Sequence, residues 1–236
     1  MARFLHVPSG REFGTLDMQI MDVAAETGFV KWHEQPKELA SGRKSHVYVN
    51  GREDTTENPH FLRLCCRRIL LDTKKIMDGL GDSRSPRFIG IPHVAHGWTP
   101  AITMVDKYDV ITGRDACHAI MRSELKKHGA HQKWIARTAD SAVYCDIQFD
   151  NAVTDKGSKD TATAHMIEDG MDMSDVIGMV FVDRQQGGLK AMESLRYRLV
   201  HANYLLLDMV FAFQELGRWP ADATERVERE IAANQI

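Results

Sequence analysis

The segment DVIGMVFVD (residues 175–183) constrains the fold more than any other part of this chain. Between its two aspartates every residue is apolar or glycine, with no alternation. A strand reads this way when both of its faces are covered, as in the middle of a parallel sheet. Three further strand-like segments stand upstream: RFIGIP (87–92), ACHAIM (116–121) and SAVYCDIQFD (141–150). HVYVNG (46–51) alternates like a half-exposed strand that stops at a turn. Helical spacing fills the intervals. Residues 16–30 end at Gly28, the long amphipathic stretch 59–81 ends at Gly79 and Gly81, and 99–108 and 158–169 follow. GGLKAMESLRYR (187–198) and NYLLLDMVFAFQEL (203–216) also read as helices. After Trp219-Pro220 a last charged helix covers 222–234. Strands alternating with helices predict an α/β fold with a mostly parallel central sheet flanked by helices.

At 236 residues the chain is long enough for one domain with a full hydrophobic core. The reading divides it into an N-terminal helix and hood segment (1–58), a core (59–200) and C-terminal helices (201–236). A formal charge of −3 gives no reason to expect nucleic acid or a membrane surface as partner. The four cysteines lack CxxC spacing, no secretory h-region precedes them, and no apolar run approaches the ~20 residues of a membrane span. The expected setting is a reduced cytoplasm.

In sheets of this type ligands bind beyond the carboxyl ends of the strands. Those ends carry GIPHVAHG, MRSELKKHG, DNAVTDKGS and DRQQGG. In FDNAVTDKGSKD (149–160) a strand enters a Thr/Gly/Ser loop that opens a helix. Several N–H groups and the helix dipole can hold a phosphate in such a place. An ordinary turn with Ser158 as N-cap is the other reading. RSELKKHG (122–129) is either a solvated basic segment or a loop that closes over an anion. Arg184, directly after a buried strand, needs a partner or an open end, where its fork suits a carboxylate. Tyr48 is either a stacking platform for a flat base or ordinary core. His93 and His96 have a spacing that brackets a metal, but nothing nearby completes a set, and a site-lining loop is the plainer reading.

Taken together, four segments resemble the orotate phosphoribosyltransferases, type I phosphoribosyltransferases, over nearly the whole chain. ASGRKSHVYVN (40–50) is similar to the family's KSGRxSxYFxN segment, RSELKKHG to its RKExKxHG catalytic loop and FVDRQQGG (181–188) to its LVDRQEGG strand end. DNAVTDKGS stands in place of the (D/E)DxxTTGGS loop for phosphoribosyl pyrophosphate (PRPP). The resemblance implies transfer of the phosphoribosyl group of PRPP to orotate, giving orotidine 5'-monophosphate and pyrophosphate. It implies Mg²⁺, held mainly by the substrate, and a homodimer in which the loop reaches the neighbour's site. It also assigns roles. Lys126 meets the pyrophosphate, with Arg122 and His128 beside it, and Asp150 faces the ribosyl ring. Arg184 holds the orotate carboxylate, with Lys44 and Tyr48 on the N-terminal strand. Asn151, Thr154, Asp155, Lys156, Gly157 and Ser158 form the sugar-phosphate cradle.

The departures fall in that cradle and in its partners. Ala40 replaces a lysine that touches PRPP, and Ser123 replaces a second basic loop residue. Asn151 replaces the second of two acids. Asp155 and Lys156 replace a Thr-Gly pair. An acid a few ångström from a phosphate costs about 1 to 4 kcal/mol. Three readings follow: an active orotate phosphoribosyltransferase; a related enzyme rebuilt for another base or donor; and a non-catalytic relative.

Overall fold

A computed structural model describes residues 4–38, 42–50, 57–91, 97–122, 133–136, 142–154 and 157–234. Its centre is a six-stranded sheet in the order β10-β9-β8-β5-β6-β7. These strands are β5 (Ser85–Gly90), β6 (Cys117–Met121), β7 (Trp134–Ala136), β8 (Tyr144–Val153), β9 (Ile177–Asp183) and β10 (Leu199–Leu205). All neighbours pair in parallel except β7, which returns antiparallel along β6. Every residue of β9 is buried, as its unbroken apolar run predicts.

Alternate residues of the central strands supply two cores. Cys145, Ile147 and Phe149 of β8 and Ile177, Met179 and Phe181 of β9 face one layer. That layer contains α1 (Thr15–Thr27), α2 (Pro59–Gly79), α3 (Trp98–Asp109), α6 (Leu206–Glu215) and α7 (Ala223–Ala233). The opposite face packs on α4 (Gly157–Glu168) and on α5 (Gly188–Glu193). Asn58 caps α2 by accepting from the Phe61 N–H at 2.9 Å, with Pro59 in the first turn, so the polar-to-apolar change at 58–61 sets this boundary. Two antiparallel pairs complete the described chain: β1 (Leu5–His6) with β2 (Glu12–Phe13), and β3 (Val30–Glu38) with β4 (Lys44–Val49).

Several elements differ from the sequence reading. Residues 187–198 hold only the short α5, and Leu199–Leu205 is a strand pairing with β9. The segment read as C-terminal helices therefore opens with the edge strand of the sheet. Leu205, with extended φ −89° and ψ 140°, marks the change to helix. β8 runs three residues past the expected end at Asp150, so Asn151, Ala152 and Val153 are strand residues as well. β3 was assigned no element because its outer half is exposed and polar, and β7 is only three residues long. Trp98, at the start of α3, is buried among Phe29, Phe149 and Phe181 with centroid distances of 5.1 to 6.3 Å.

Candidate active site

The carboxyl ends of β6, β8 and β9 meet at one edge of the sheet. Register places Val153 beside Asp183 and Asp183 beside Leu205, and the Arg184 N–H donates to the Val153 carbonyl at 3.0 Å. The turn after β9 is tightly determined. Gly187 has φ +91°, which an L side chain rarely adopts. Gly188 allows close approach: a Cβ there would lie 2.7 Å from Val153 Cγ2 and 2.9 Å from the Thr154 backbone. The paired glycines thus seat α5 directly against the β8 loop.

Arg184 is only 5% exposed. Its Nη2 donates to the Val47 carbonyl at 2.8 Å, whereas its buried Nε has no hydrogen-bond partner among the described residues. Burial lowers its pKa from the usual 12.5 to about 10, opposed by the Glu230 carboxylate and by Tyr48. A charged guanidinium is here held in a dry setting with an N–H to spare.

The β3–β4 hairpin is fastened to this turn and to α7. Arg43 donates to the backbone and side-chain oxygens of Gln186 at 3.2 and 3.3 Å. Glu230 of α7 accepts from Ser45 Oγ at 2.9 Å, from the His46 N–H at 3.0 Å and from the His46 ring. That ring stacks on Trp32, which packs on Trp219. Tyr48 is 45% exposed, which removes the core reading for it, and Lys44 is exposed at the start of β4.

The β8 end departs from the simple cradle. Asp150 is 3% exposed and Lys159, in the first turn of α4, is 4% exposed. The two form a close ion pair, and Lys159 Nζ also donates to the Ala152 carbonyl at 2.8 Å. The other carboxylate oxygen of Asp150 accepts from the Asn151 N–H at 2.7 Å. Both oxygens are therefore engaged within the protein. Beside them Asn151 is buried, Thr154 is half-buried, and Gly157 and Ser158 are exposed at the start of α4. Arg122 closes β6: its N–H donates to the Lys133 carbonyl at 2.8 Å and its Nε to the Trp134 carbonyl at 3.1 Å. Lys126, His128, Asp155 and Lys156 lie outside the described residues, as do Ala40, Ser123, His93 and His96.

Among the described residues no group of three or more His, Cys, Asp or Glu side chains is placed to share an ion, and Asp150 is engaged by Lys159. Sequence reasoning missed Lys159, His46, Gln186 and Glu230. Only Lys159 left a local trace: with Ala162, Thr163 and Met166 it occupies the buried stripe of α4, a place where a lysine needs a partner.

No family model matches the chain. Among solved structures it is similar to the UMP synthase of Leishmania donovani, with TM-score 0.67 and 16% identity over 92% of this chain and 42% of that one. The chain thus spans less than half the length of that protein. It is also similar to the orotate phosphoribosyltransferase of Mycobacterium tuberculosis, with TM-score 0.60 and 19% identity over 81% of this chain and 97% of that one. That of Francisella tularensis gives TM-score 0.61 and 12% identity over 92% and 100%. At these identities the likeness concerns the fold, and the fold is type I phosphoribosyltransferase-like. More narrowly, it is the architecture seen in orotate phosphoribosyltransferases.

Proposed function

We propose that this chain is an orotate phosphoribosyltransferase. It would join a ring nitrogen of orotate to C1 of the ribose of PRPP as the bond from C1 to pyrophosphate breaks, the ring N–H proton passing to the departing pyrophosphate or to water, giving orotidine 5'-monophosphate. The observation that carries this reading is Arg184: buried at the carboxyl end of β9, beneath the hairpin, with an N–H left over. An unpaired buried guanidinium is costly, and a planar ligand carboxylate would satisfy it. In this reading Tyr48, exposed on β4, and Lys44 face the base, and Thr154, Gly157 and Ser158 take the 5'-phosphate. Lys126, Arg122 and His128 meet the developing charge on pyrophosphate. Magnesium belongs with the diphosphate of the substrate and not with a protein carboxylate. A cytoplasmic homodimer is part of the same proposal.

The pairing of Asp150 with Lys159 favours a second reading. With that carboxylate neutralised and Asn151 uncharged, no acid among the described residues of the β8 end is left for the ribose hydroxyls or the ring cation. A related enzyme with an altered donor fits this better than a standard one, and a non-catalytic relative would also satisfy it.

Calorimetric titration with PRPP, with and without Mg²⁺, followed by orotate, separates these readings. Magnesium-dependent PRPP binding with orotate consumed supports the first, and Lys126→Ala should then cut turnover far more than PRPP affinity. Equal turnover in that variant would refute the first reading, and PRPP binding without orotate turnover would move the reaction to another base. Absence of PRPP binding would leave an altered donor or no catalysis.

A further inference from the structure

We propose that Glu230 of α7 is a positioning residue for Arg184, making the C-terminal helix part of the base site. This rests on the reading of Arg184 as a carboxylate anchor. The inference starts from what holds Arg184 in place. Its one hydrogen bond among the described residues runs to the carbonyl of Val47, and Val47 is a β4 residue. β4 is half of a two-stranded hairpin that has no pairing with the central sheet, so something else must fix its height above the β9 turn. The polar contacts that do so lie in the residues leading up to Val47. Arg43 reaches Gln186.

Next along the strand, immediately before Val47, Glu230 takes three donors from two successive residues, Ser45 and His46. Ser45 Oγ in turn accepts the Val47 N–H at 3.0 Å. The chain of hydrogen bonds therefore runs from Glu230 through Ser45 to the peptide N–H of Val47, whose carbonyl receives Arg184. Glu230 does not touch Arg184 through any of these bonds. It is, however, a negative charge close enough to favour the charged guanidinium that burial disfavours. Removing the carboxylate would free Ser45 and His46, let β4 shift, and let Arg184 turn its spare N–H away from the ligand.

The test compares Glu230→Ala and Glu230→Gln with the parent, using two readouts. In the first, orotate affinity should fall about tenfold in Glu230→Ala, within the coupling expected inside one hydrogen-bond network. PRPP affinity should stay within about twofold. Glu230→Gln keeps the acceptor but not the charge and should lie between. The second readout does not depend on the ligand. In protein labelled with ¹⁵N-arginine, the Nε–H resonance of Arg184, assigned with Arg184→Lys, should be sheltered from exchange with water in the parent. It should shift and exchange faster in Glu230→Ala, together with the β4 amides, while amides of β8 and β9 keep their protection. An unchanged Arg184 resonance in Glu230→Ala overturns the proposal whether or not orotate binds. Failure of the parent to bind orotate, with the resonance still moved by Glu230→Ala, instead refutes the base assignment and leaves Glu230 as the group that positions Arg184.

Discussion

At the scale of single residues, Lys159 changes the meaning of the β8 end. A buried lysine is tolerable only when its charge is met, and Asp150 meets it. Lys159→Met should therefore destabilise the fold by about 3 to 5 kcal/mol, because it leaves Asp150 buried and unpaired. Adding Asp150→Asn should recover most of the loss. Urea unfolding of the two variants decides this, and a single mutant as stable as the parent would show that the pair holds nothing. Lys159 went unread, although its place on the buried stripe of α4 marks a cation that needs a partner, and helical spacing does not say which carboxylate it finds. Arg184 was legible from its place directly after a buried strand, whereas the need for Gly187 and Gly188 shows only in the turn and its contact with β8. Glu230 was not legible at all, since its partners lie at the far end of the chain.

Among the elements, those with one dominant period were legible and those with mixed surroundings were not. The buried strand β9 and the amphipathic α2 follow from their patterns. β10 was hidden because its apolar residues run without a break into α6, and because His201 and Asn203 sit where a strand usually carries hydrocarbon. Both are turned to Asp72 on α2, at 3.2 and 2.8 Å. The contact between α5 and β8 offers a sharper test of packing. Gly188→Ala places a methyl group against the Thr154 backbone, which cannot rotate away as a flexible side chain could. We expect a loss of about 1 to 3 kcal/mol and weaker phosphate binding at the loop beginning with Thr154. Thermal unfolding and titration with inorganic phosphate report the two effects separately, and a variant matching the parent in both would refute the close approach.

For the whole molecule, the same Asp72 makes stability depend on acid. Burial alone would raise its pKa, but hydrogen bonds from His201 and Asn203 and the Arg68 charge outweigh that and hold it at about 2, against the ordinary 3.8. A carboxylate depressed on folding contributes stability that is complete above its unfolded pKa and is lost as pH falls through the folded one. The window is thus from about pH 4 down to about 2, and the contribution about 2 kcal/mol. Asp82, gripped by Arg84 and Arg198, is lowered too and adds to the loss at the acid end. Unfolding free energy should fall through that window, and Asp72→Asn should flatten the fall. An unchanged slope in the variant would show that other carboxylates govern acid unfolding.

The bond between His46 and Glu230 joins residues 184 positions apart, and this has a temporal consequence. During synthesis the β4 strand leaves the ribosome long before its anchor exists. At ordinary elongation rates the delay is roughly 10 to 40 s, far longer than the microseconds in which a hairpin forms. Through that interval the nascent chain carries Trp32 and Val47 without the C-terminal segment that packs on them, so the hairpin waits exposed for the end of the chain.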